Sequence, residues 1–421
     1  PMRVLLYEDA ACSALTPVAL LRPAFELLCG QQCLRSRIRS ALPIAEWGVH
    51  VRPWLADVYA ETHPDCHVND DAWMTQGVTL LVNGRWMPQQ RLSVESFAEG
   101  LAGVVNSDIA WIVLNGYELA ELQQDWEALA DLASSKPTVD AGGVMVRYPW
   151  DLVRNNPLQL ESDFSQAGVS QTAAGEQVQC LGDPADVYVS KTAIIDPYVV
   201  IDARSGPVSI GAGVHIQSFT RIEGPAHIST ESQLFRAHIR AGTTIGPTCR
   251  VGGEVEESIL HGYVTKYHTG FLGHSYVCPW VNFGAMTTTS DLKNNYGNIS
   301  VPLKGQLVGT GMNKVGSFFG DHAKTAIDSM FNTGSSIGVM SMVLPAGGLV
   351  PRHVPSFSSV IGGQLTLNWS LESGLEAARV AMPRRGRQLT AAMETQLRTV
   401  YELTQAERET AFARAERRRA V

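Results

Sequence analysis

The stretch IGAGVHIQSFTRIEGPAHISTESQL, residues 210–234, decides the fold. Ile210, Ile216, Ile222, Ile228 and Leu234 recur every six residues, with glycine, small and polar residues between them. The same period precedes them at Val189, Ile195 and Ile201. After a one-residue slip of phase it resumes at Ile239, Ile245 and Val251. An amphipathic helix repeats apolar residues every three or four positions and a half-buried strand every two, so neither yields a period of six. A fixed six-residue period marks a parallel β-helix. Each hexapeptide makes one short strand and one corner. The sixth-position aliphatic points inward and stacks on the coils above and below, with strands about 4.8 Å apart. Glycine and small residues are expected at the corners, where φ is often positive.

Working outward, hexads predict a β-helix over 187–363, with a non-hexad insertion at roughly Glu254–Tyr276 and a return of the period at Ile337, Val343 and Leu349. Residues 2–160 read as an α/β domain. Strands are expected at Val4–Tyr7, Val78–Asn83 and Ile109–Asn115, with helical patterns at Val94–Val105 and Leu119–Leu132. Two of these runs end in Asn83-Gly84-Arg85 and Asn115-Gly116-Tyr117, which puts loops at the carboxyl ends of strands, where open α/β sheets bind ligands. Residues 161–186, rich in Ser, Gln, Gly and Ala, read as a linker. From Glu372 onward there are ten Arg and seven Glu but no Lys or Asp. Leu389, Met393, Leu397, Val400 and Thr404 fall at helical spacing, so 372–421 reads as an amphipathic helical tail with a basic end at Arg417–Arg419. It packs on its own β-helix or on a neighbouring subunit, or else binds a polyanion.

The chain has 421 residues and is 45% hydrophobic, enough for two domains with proper cores. A net charge of −8 argues against a general nucleic-acid binder. No run of 18 apolar residues is present, so no membrane-spanning helix is expected. No signal peptide is expected either, since Arg3–Tyr7 reads as a buried strand followed at once by Glu8 and Asp9. The seven cysteines are scattered, with no C-x-x-C pair, which argues against a disulfide framework and for a cytoplasmic protein. Cys66-His67 with Asn69-Asp70-Asp71 reads as a metal site or as a polar loop.

Val251–Gly297 is the segment richest in chemistry: VGGEVEESILHGYVTKYHTGFLGHSYVCPWVNFGAMTTTSDLKNNYG. Histidines, two lysines, asparagines and threonines crowd between glycine turns. In order stand GGEVE (Gly252–Glu256), K-x-H-x-GFLGHSY (Lys266–Tyr276), W-x-N-x-GA-x-T (Trp280–Thr287) and SDLKN-x-YG (Ser290–Gly297). The segment resembles the acetyltransferase domain of the bifunctional N-acetylglucosamine-1-phosphate uridylyltransferase/glucosamine-1-phosphate acetyltransferase family, and more closely a divergent sugar-nucleotidyltransferase branch of that family. Gly320–Val339 is similar to that branch too. The resemblance implies a left-handed β-helix behind a nucleotidyltransferase-like α/β domain, and a homotrimer whose substrates bind between prisms. It implies acetyl-CoA as co-substrate, with sugar phosphates and nucleotides as partners.

In that family a histidine opening H-x-x-[YF]-L-G is the general base, and His268 matches it, followed by Phe271, Leu272 and Gly273. An imidazole, which titrates near neutrality, suits the removal of a proton from a sugar amine. The resemblance assigns substrate contacts to Asn282, Lys266, Phe271 and Asn295, although Lys266 is offset by one from the family lysine and Phe271 replaces a usual tyrosine. It assigns acetyl-CoA contacts to Ala285, Gly334 and Ser335.

The first domain departs further from the pattern. Leu15-Thr-Pro17 to Pro23-Ala24 keeps the family's proline spacing, but the glycine loop is missing and Ala24 stands where a lysine is usual. Arg22 reads as a phosphate-binding charge or as a partner of Glu26, and Arg85 as another charge. The family's Mg²⁺ is held by a Gly-Asp aspartate, absent here, and by an asparagine of V-N-N-x-L-Q-L, matched by Asn155 in Arg154–Leu160. Three functions stay open on the sequence: acetyl transfer with nucleotidyl transfer, a non-catalytic sugar-nucleotide-binding or scaffold protein, and a nucleotidyltransferase with the β-helix as an oligomerisation stalk.

Overall fold

Residues spaced by six turn inward and stack. The computed structural model, which describes residues 2–89, 92–122, 125–126, 128–167, 177–367 and 369–419, divides into two units. One comprises Pro1–Leu15, Leu21–Leu27 and Gln32–Tyr148, the other Thr16–Leu20, Leu28–Gln31 and Pro149–Val421.

In the second unit, short parallel strands pile up on three faces. On one face, Val189, Ile210, Ile228, Ile245, Leu260, Val277, Phe319, Ile337 and Val354 lie in register on successive coils. A second face stacks Ile195, Ile216, Leu234, Val251 and Lys266, and later Thr325, Val343 and Val360. The third stacks Ile201, Ile222, Ile239, Val255 and Leu272. Nearly all these aliphatics are fully buried, and each contributes about 1.5–3 kcal/mol by leaving water.

The insertion expected at Glu254–Tyr276 is not there. Strands Arg250–Glu256, Ile259–Leu260, Thr265–Lys266, Phe271–Gly273 and Tyr276–Val277 continue the coils. The period looks broken because Lys266 occupies an aliphatic slot and some corners are a residue short. The excursion lies further on, between the strands Thr288–Thr289 and Ser317–Phe319, and carries the hairpin Ser300–Leu303 with Gln306–Gly309. The corners also differ from expectation. Several residues with positive φ are bulky, among them Tyr263 (54°), Trp280 (67°) and His322 (60°). A left-handed conformation costs such residues about 1 kcal/mol or more. Here they stack, Tyr263 on Trp280 at 4.4 Å and Trp280 on His322 at 6.0 Å, which offsets the strain.

Helix α1 (Pro149–Ala167) belongs to the second unit, not to the α/β domain that the sequence carried to residue 160. Asn156 holds it there. Its side chain accepts from the Gly30 amide at 2.6 Å and donates to the Gly242 carbonyl at 2.8 Å and Thr244 Oγ1 at 3.0 Å. Of the expected linker, 161–167 is helical, 168–176 lies outside the described residues, and Gln179–Leu181 is a strand paired with Val200–Asp202. The tail is three helices rather than one: α2 (Leu371–Ala381), α3 (Ala391–Leu403) and α4 (Gln405–Arg419). Ser370 and Thr390 cap α2 and α3, and Gly386 at φ 67° turns the chain between them. The tail packs on its own β-helix, Tyr401 edge-on to Phe357 and His353 on Glu407 at 2.8 Å.

The first unit has a seven-stranded sheet. Its strands are β1 (Met2–Tyr7), β2 (Ile44–His50), β3 (His67–Val68), β4 (Thr79–Asn83), β5 (Ala102–Val105), β6 (Asp108–Leu114) and β7 (Thr138–Asp140). The order is β7-β5-β6-β4-β1-β2-β3. β1 runs parallel to β2 and β4, while β6 is antiparallel to β4 and β5. Val94–Val105, expected as helix, is a short 3-10 turn followed by β5, whose Ala102 and Gly103 pair with Ile112 and Trp111 of β6. Sheet pairing overrode local helical pattern there. Helices Gly116–Leu122 and Ala128–Ser134 fall within the other expected helical span.

The stack of inward aliphatics carries a direct test. Ile228→Ala opens a cavity in a fully buried column. It should cost about 2–5 kcal/mol in urea unfolding with the m-value unchanged.

Candidate functional site

The segment rich in chemistry runs over three successive coils of the β-helix and into the excursion. Asn282 follows Thr265 through a parallel bridge, and Lys324 follows Asn282. His268 lies three residues past Thr265 and Ala285 three past Asn282, so they occupy the same corner on adjacent coils. The Met286 amide donates to the Thr269 carbonyl at 3.0 Å and ties the two corners together. His268 is exposed. Its ring meets Tyr267 edge-on at 5.0 Å, and among the described residues no hydrogen bond engages it. Asn282 is exposed as well. The structure thus brings His268, Asn282 and Ala285 onto one region of the β-helix. Phe271 lies half-buried beside them in the next strand, its ring directly over Gly273, where a Cβ would collide with it.

Lys266 is different. It is 3% exposed, and its ammonium donates to the carbonyls of Gly270 at 2.6 Å, Gly252 at 2.8 Å and His268 at 3.4 Å. All three donors are used inside the prism, so the expected role as a sugar-phosphate ligand is corrected to an internal clamp. Burial pushes its pKa down to about 8, with Glu254 pulling the other way. The two glycines of GGEVE make room for the clamp. A Cβ on Gly252 would strike the Tyr267 carbonyl, and one on Gly253 (φ 70°) would lie 2.9 Å from Lys266 Nζ.

Other expected contacts also change. Ser335 is fully buried and its hydroxyl donates to the Asn332 carbonyl at 2.7 Å. Gly334, at φ 63°, sits against the Ser300 carbonyl. Neither reaches the surface that carries Ala285, because the excursion between residues 290 and 316 covers them. Asn295 is exposed but turns back on its own loop, accepting from the Gly297 amide at 3.1 Å.

A second cluster went unread in the sequence. His274 is 7% exposed, with Nδ1 2.7 Å from Asp291 and Nε2 3.0 Å from Glu257. Burial lowers its pKa, but hydrogen bonds and charge from Asp291 and Glu257 outweigh burial and raise it to about 9. Burial opposes the charge of Asp291, and the His274 hydrogen bond overrides this and holds its pKa low. The cluster fastens the start of the excursion to the prism: the Gly316 amide donates to the His274 carbonyl and the Val315 amide to that of Asp291, both at 2.9 Å. The signal available was His274 of HSY and Asp291 of SDL, seventeen residues apart, about one coil.

In the first unit the polar groups gather at the carboxyl ends of β1 and β4. Arg85 is 4% exposed, bidentate on Asp9 at 2.6 and 2.7 Å, and donates to the Val146 carbonyl at 3.1 Å. Asn83 also donates to Asp9, at 2.9 Å. The expectation of Arg85 as a charge for phosphates is therefore corrected: its guanidinium neutralises Asp9. Glu8 accepts from Arg52 at 3.0 Å and from the Ala24 amide at 2.9 Å. Arg22 lends its carbonyl to Arg52 at 3.1 Å, while Glu26, its expected partner, takes Arg35 and the Tyr59 hydroxyl. Asn155 is buried in α1 and donates to the Asp151 carbonyl at 2.7 Å. Among the described residues no group of three or more His, Cys, Asp or Glu is placed to hold a metal. Mg²⁺ is a hard cation that favours carboxylate oxygens, and among the described residues no such group of acids gathers around Asn155 to support the ligand role. His67, the other metal candidate, pairs with Asp70 at 3.0 Å and stacks on Trp73.

A family model described as sugar nucleotidyl transferase matches residues 4–169. A bifunctional sugar-1-phosphate nucleotidylyltransferase/acetyltransferase of Sulfurisphaera tokodaii is 32% identical over 120 residues, 28% of this chain and 30% of that protein. The bifunctional protein GlmU of Synechococcus elongatus is 26% identical over 245 residues, 51% of this chain and 49% of its own length. An uncharacterized acetyltransferase, YaiX, of Escherichia coli is 25% identical over 169 residues, 39% of this chain and 73% of that protein. The chain thus spans about half or less of the first two relatives. No helix among the described residues is long and apolar enough to cross a membrane.

The His274 cluster sets a pH dependence. His274 holds its proton more tightly folded than unfolded, so the cluster stabilises the fold below about pH 6.5 and loses that contribution as pH rises toward about 9. The contribution is of the order of 3 kcal/mol. Urea midpoints should fall between pH 6 and 9.5, and His274→Gln should flatten that slope.

Proposed function

We propose that the second unit transfers an acetyl group from acetyl-CoA to the amine of an amino sugar 1-phosphate, with His268 as general base. The observation that carries this is the state of His268: an exposed imidazole, with no hydrogen bond to its ring among the described residues, beside Asn282 and Ala285. His274, in contrast, is fully engaged by two carboxylates. In the step, the amine nitrogen bonds to the thioester carbonyl carbon, its proton passes to His268, and the carbon–sulfur bond breaks to expel the coenzyme thiolate, which takes that proton from His268 to leave as the thiol. Asn282 orients the sugar, and Phe271 gives it an apolar wall in place of a hydroxyl. Likeness to relatives named as bifunctional nucleotidyltransferase/acetyltransferases supports the reading.

The same reading makes the chain a divergent member of the bifunctional family. Its β-helix is left-handed, it works in the cytoplasm as a homotrimer, and its partners are sugar phosphates and nucleotides. It takes the first domain as ending at Tyr148, α1 as part of the second unit, the β-helix as 187–363 and the tail as 372–421. For the first unit, one observation favours sugar-nucleotide binding without turnover. Arg85, at the carboxyl end of β4, is consumed by Asp9 and the Val146 carbonyl. Nucleotidyl transfer with Mg²⁺ is the competing reading of that unit, and pyrophosphate release from UTP and a sugar 1-phosphate would establish it.

His268→Ala should lower acetyl transfer from acetyl-CoA to glucosamine 1-phosphate by about 10²–10⁴-fold, the usual share of general-base catalysis. Because His268 is exposed, the thermal unfolding of the variant should match the parent. Unchanged turnover in the variant would remove the assigned mechanism.

A further inference from the structure

The outward residues next to Lys266 and its stacked neighbours form a column of their own. Arg250, Thr265, Asn282 and Lys324 lie on four successive coils, joined by parallel pairing. Three steps at about 4.8 Å span roughly 14 Å. The tail adds cations from the side. Arg385 Nη2 donates to Thr265 Oγ1 at 3.4 Å, and Arg387 Nε donates to the Tyr263 hydroxyl at 2.8 Å.

Among the described residues, none of Arg250, Lys324 and Arg385 forms an ion pair. The guanidinium of Arg250 donates to the carbonyls of Glu231 at 3.0 Å and Cys249 at 3.1 Å. The Glu231 carboxylate lies against Gly213 and reaches Arg250 through charge alone, without an ion pair. Burial, and then the charge of Arg385, lower the proton affinity of Arg250, and burial lowers that of Lys324. The neighbouring face of the same β-helix is built differently. There Arg221 pairs with Asp202 and Glu223, His238 with Glu223, and Arg240 with Glu254 and Glu256. Cations are neutralised in place on one face, whereas Arg250, Lys324 and Arg385 gather on the other without an ion pair among the described residues. Gathering like charges in a half-desolvated groove is unfavourable unless an anion enters it. Donors spread along about 14 Å, with a hydroxyl and an amide between them, suit an elongated ligand with phosphate groups.

We propose that the face formed by Arg250, Lys324 and Arg385 is a binding site for a phosphorylated small molecule, completed by the C-terminal tail. The proposal deepens the acetyl-transfer reading, since both acetyl-CoA and an amino sugar 1-phosphate carry phosphate. The site itself requires only that a phosphoanion bind there.

Titration calorimetry on the full chain with pyrophosphate, adenosine 3′,5′-bisphosphate and glucose 1-phosphate tests it. At least one probe should bind, and Arg385→Ala and Lys324→Met should each weaken binding tenfold or more. Arg221→Gln, a cation of the paired face, should leave binding unchanged. Tighter binding of the bisphosphate assigns the site to the coenzyme, and tighter binding of glucose 1-phosphate assigns it to the sugar. Arg385 stands on an exposed turn, so its variant reports even if Lys324→Met does not fold. Failure of all three probes, or binding insensitive to Arg385→Ala, overturns the proposal. Binding that depends on these residues in a protein without acetyl-transfer activity leaves the site standing and removes the proposed reaction.

Discussion

One inward side chain per strand, stacked on its counterpart about 4.8 Å away, is the interaction on which the second unit depends. The column from Ile210 through Ile228 and Ile245 to Leu260 and Val277 has no access to water. Each coil buries its apolar face only because another coil covers it. The corners, the outward polar ladders and the docking of the tail all take their positions from that stack.

Against this background the middle of the prism is unusual. Lys266 stands where its neighbours in the column are Val251 below and Phe283 and Thr325 above, and its charge is met by three main-chain carbonyls. Those carbonyls belong to the corner that carries His268 and to the coil beneath it. Thr287 and Thr325 share a hydrogen bond at 2.8 Å nearby. Polar groups therefore hold the corner from inside, while the exposed imidazole is presented outside. A buried charge is costly unless fully satisfied, and this one sits directly beneath the corner proposed for catalysis.

The first unit solves a different problem. Its parallel strands end in Glu8, Asp9, Asn83 and Arg85, where a ligand crevice is expected in an open sheet. The acids are matched by Arg52 and Arg85 within the unit. Arg85, which follows Gly84, is not a free charge for a ligand there, since Asp9 binds it.

The sequence by itself determined the β-helix, because a repeat of six is a property of local spacing and every coil obeys the same burial rule. The strands β1, β4 and β6 were legible for similar local reasons. The extent of the repeat was not: Lys266 in an aliphatic slot made continuous coils look like an insertion, and the true excursion lay past Thr289. Only the tertiary structure decided which polar residues are spent. Lys266, Ser335 and Arg85 carry reactive or binding groups in the sequence, yet folding spends Lys266 and Ser335 on main-chain carbonyls and Arg85 on the carboxylate of Asp9, far back along the chain. Arg250, Lys324 and Arg385, which no motif singles out, are brought to one face by coiling and by the return of the tail. Hydrogen bonds and charge act through space, so pairing between distant residues, and its absence, becomes visible only once the chain is folded.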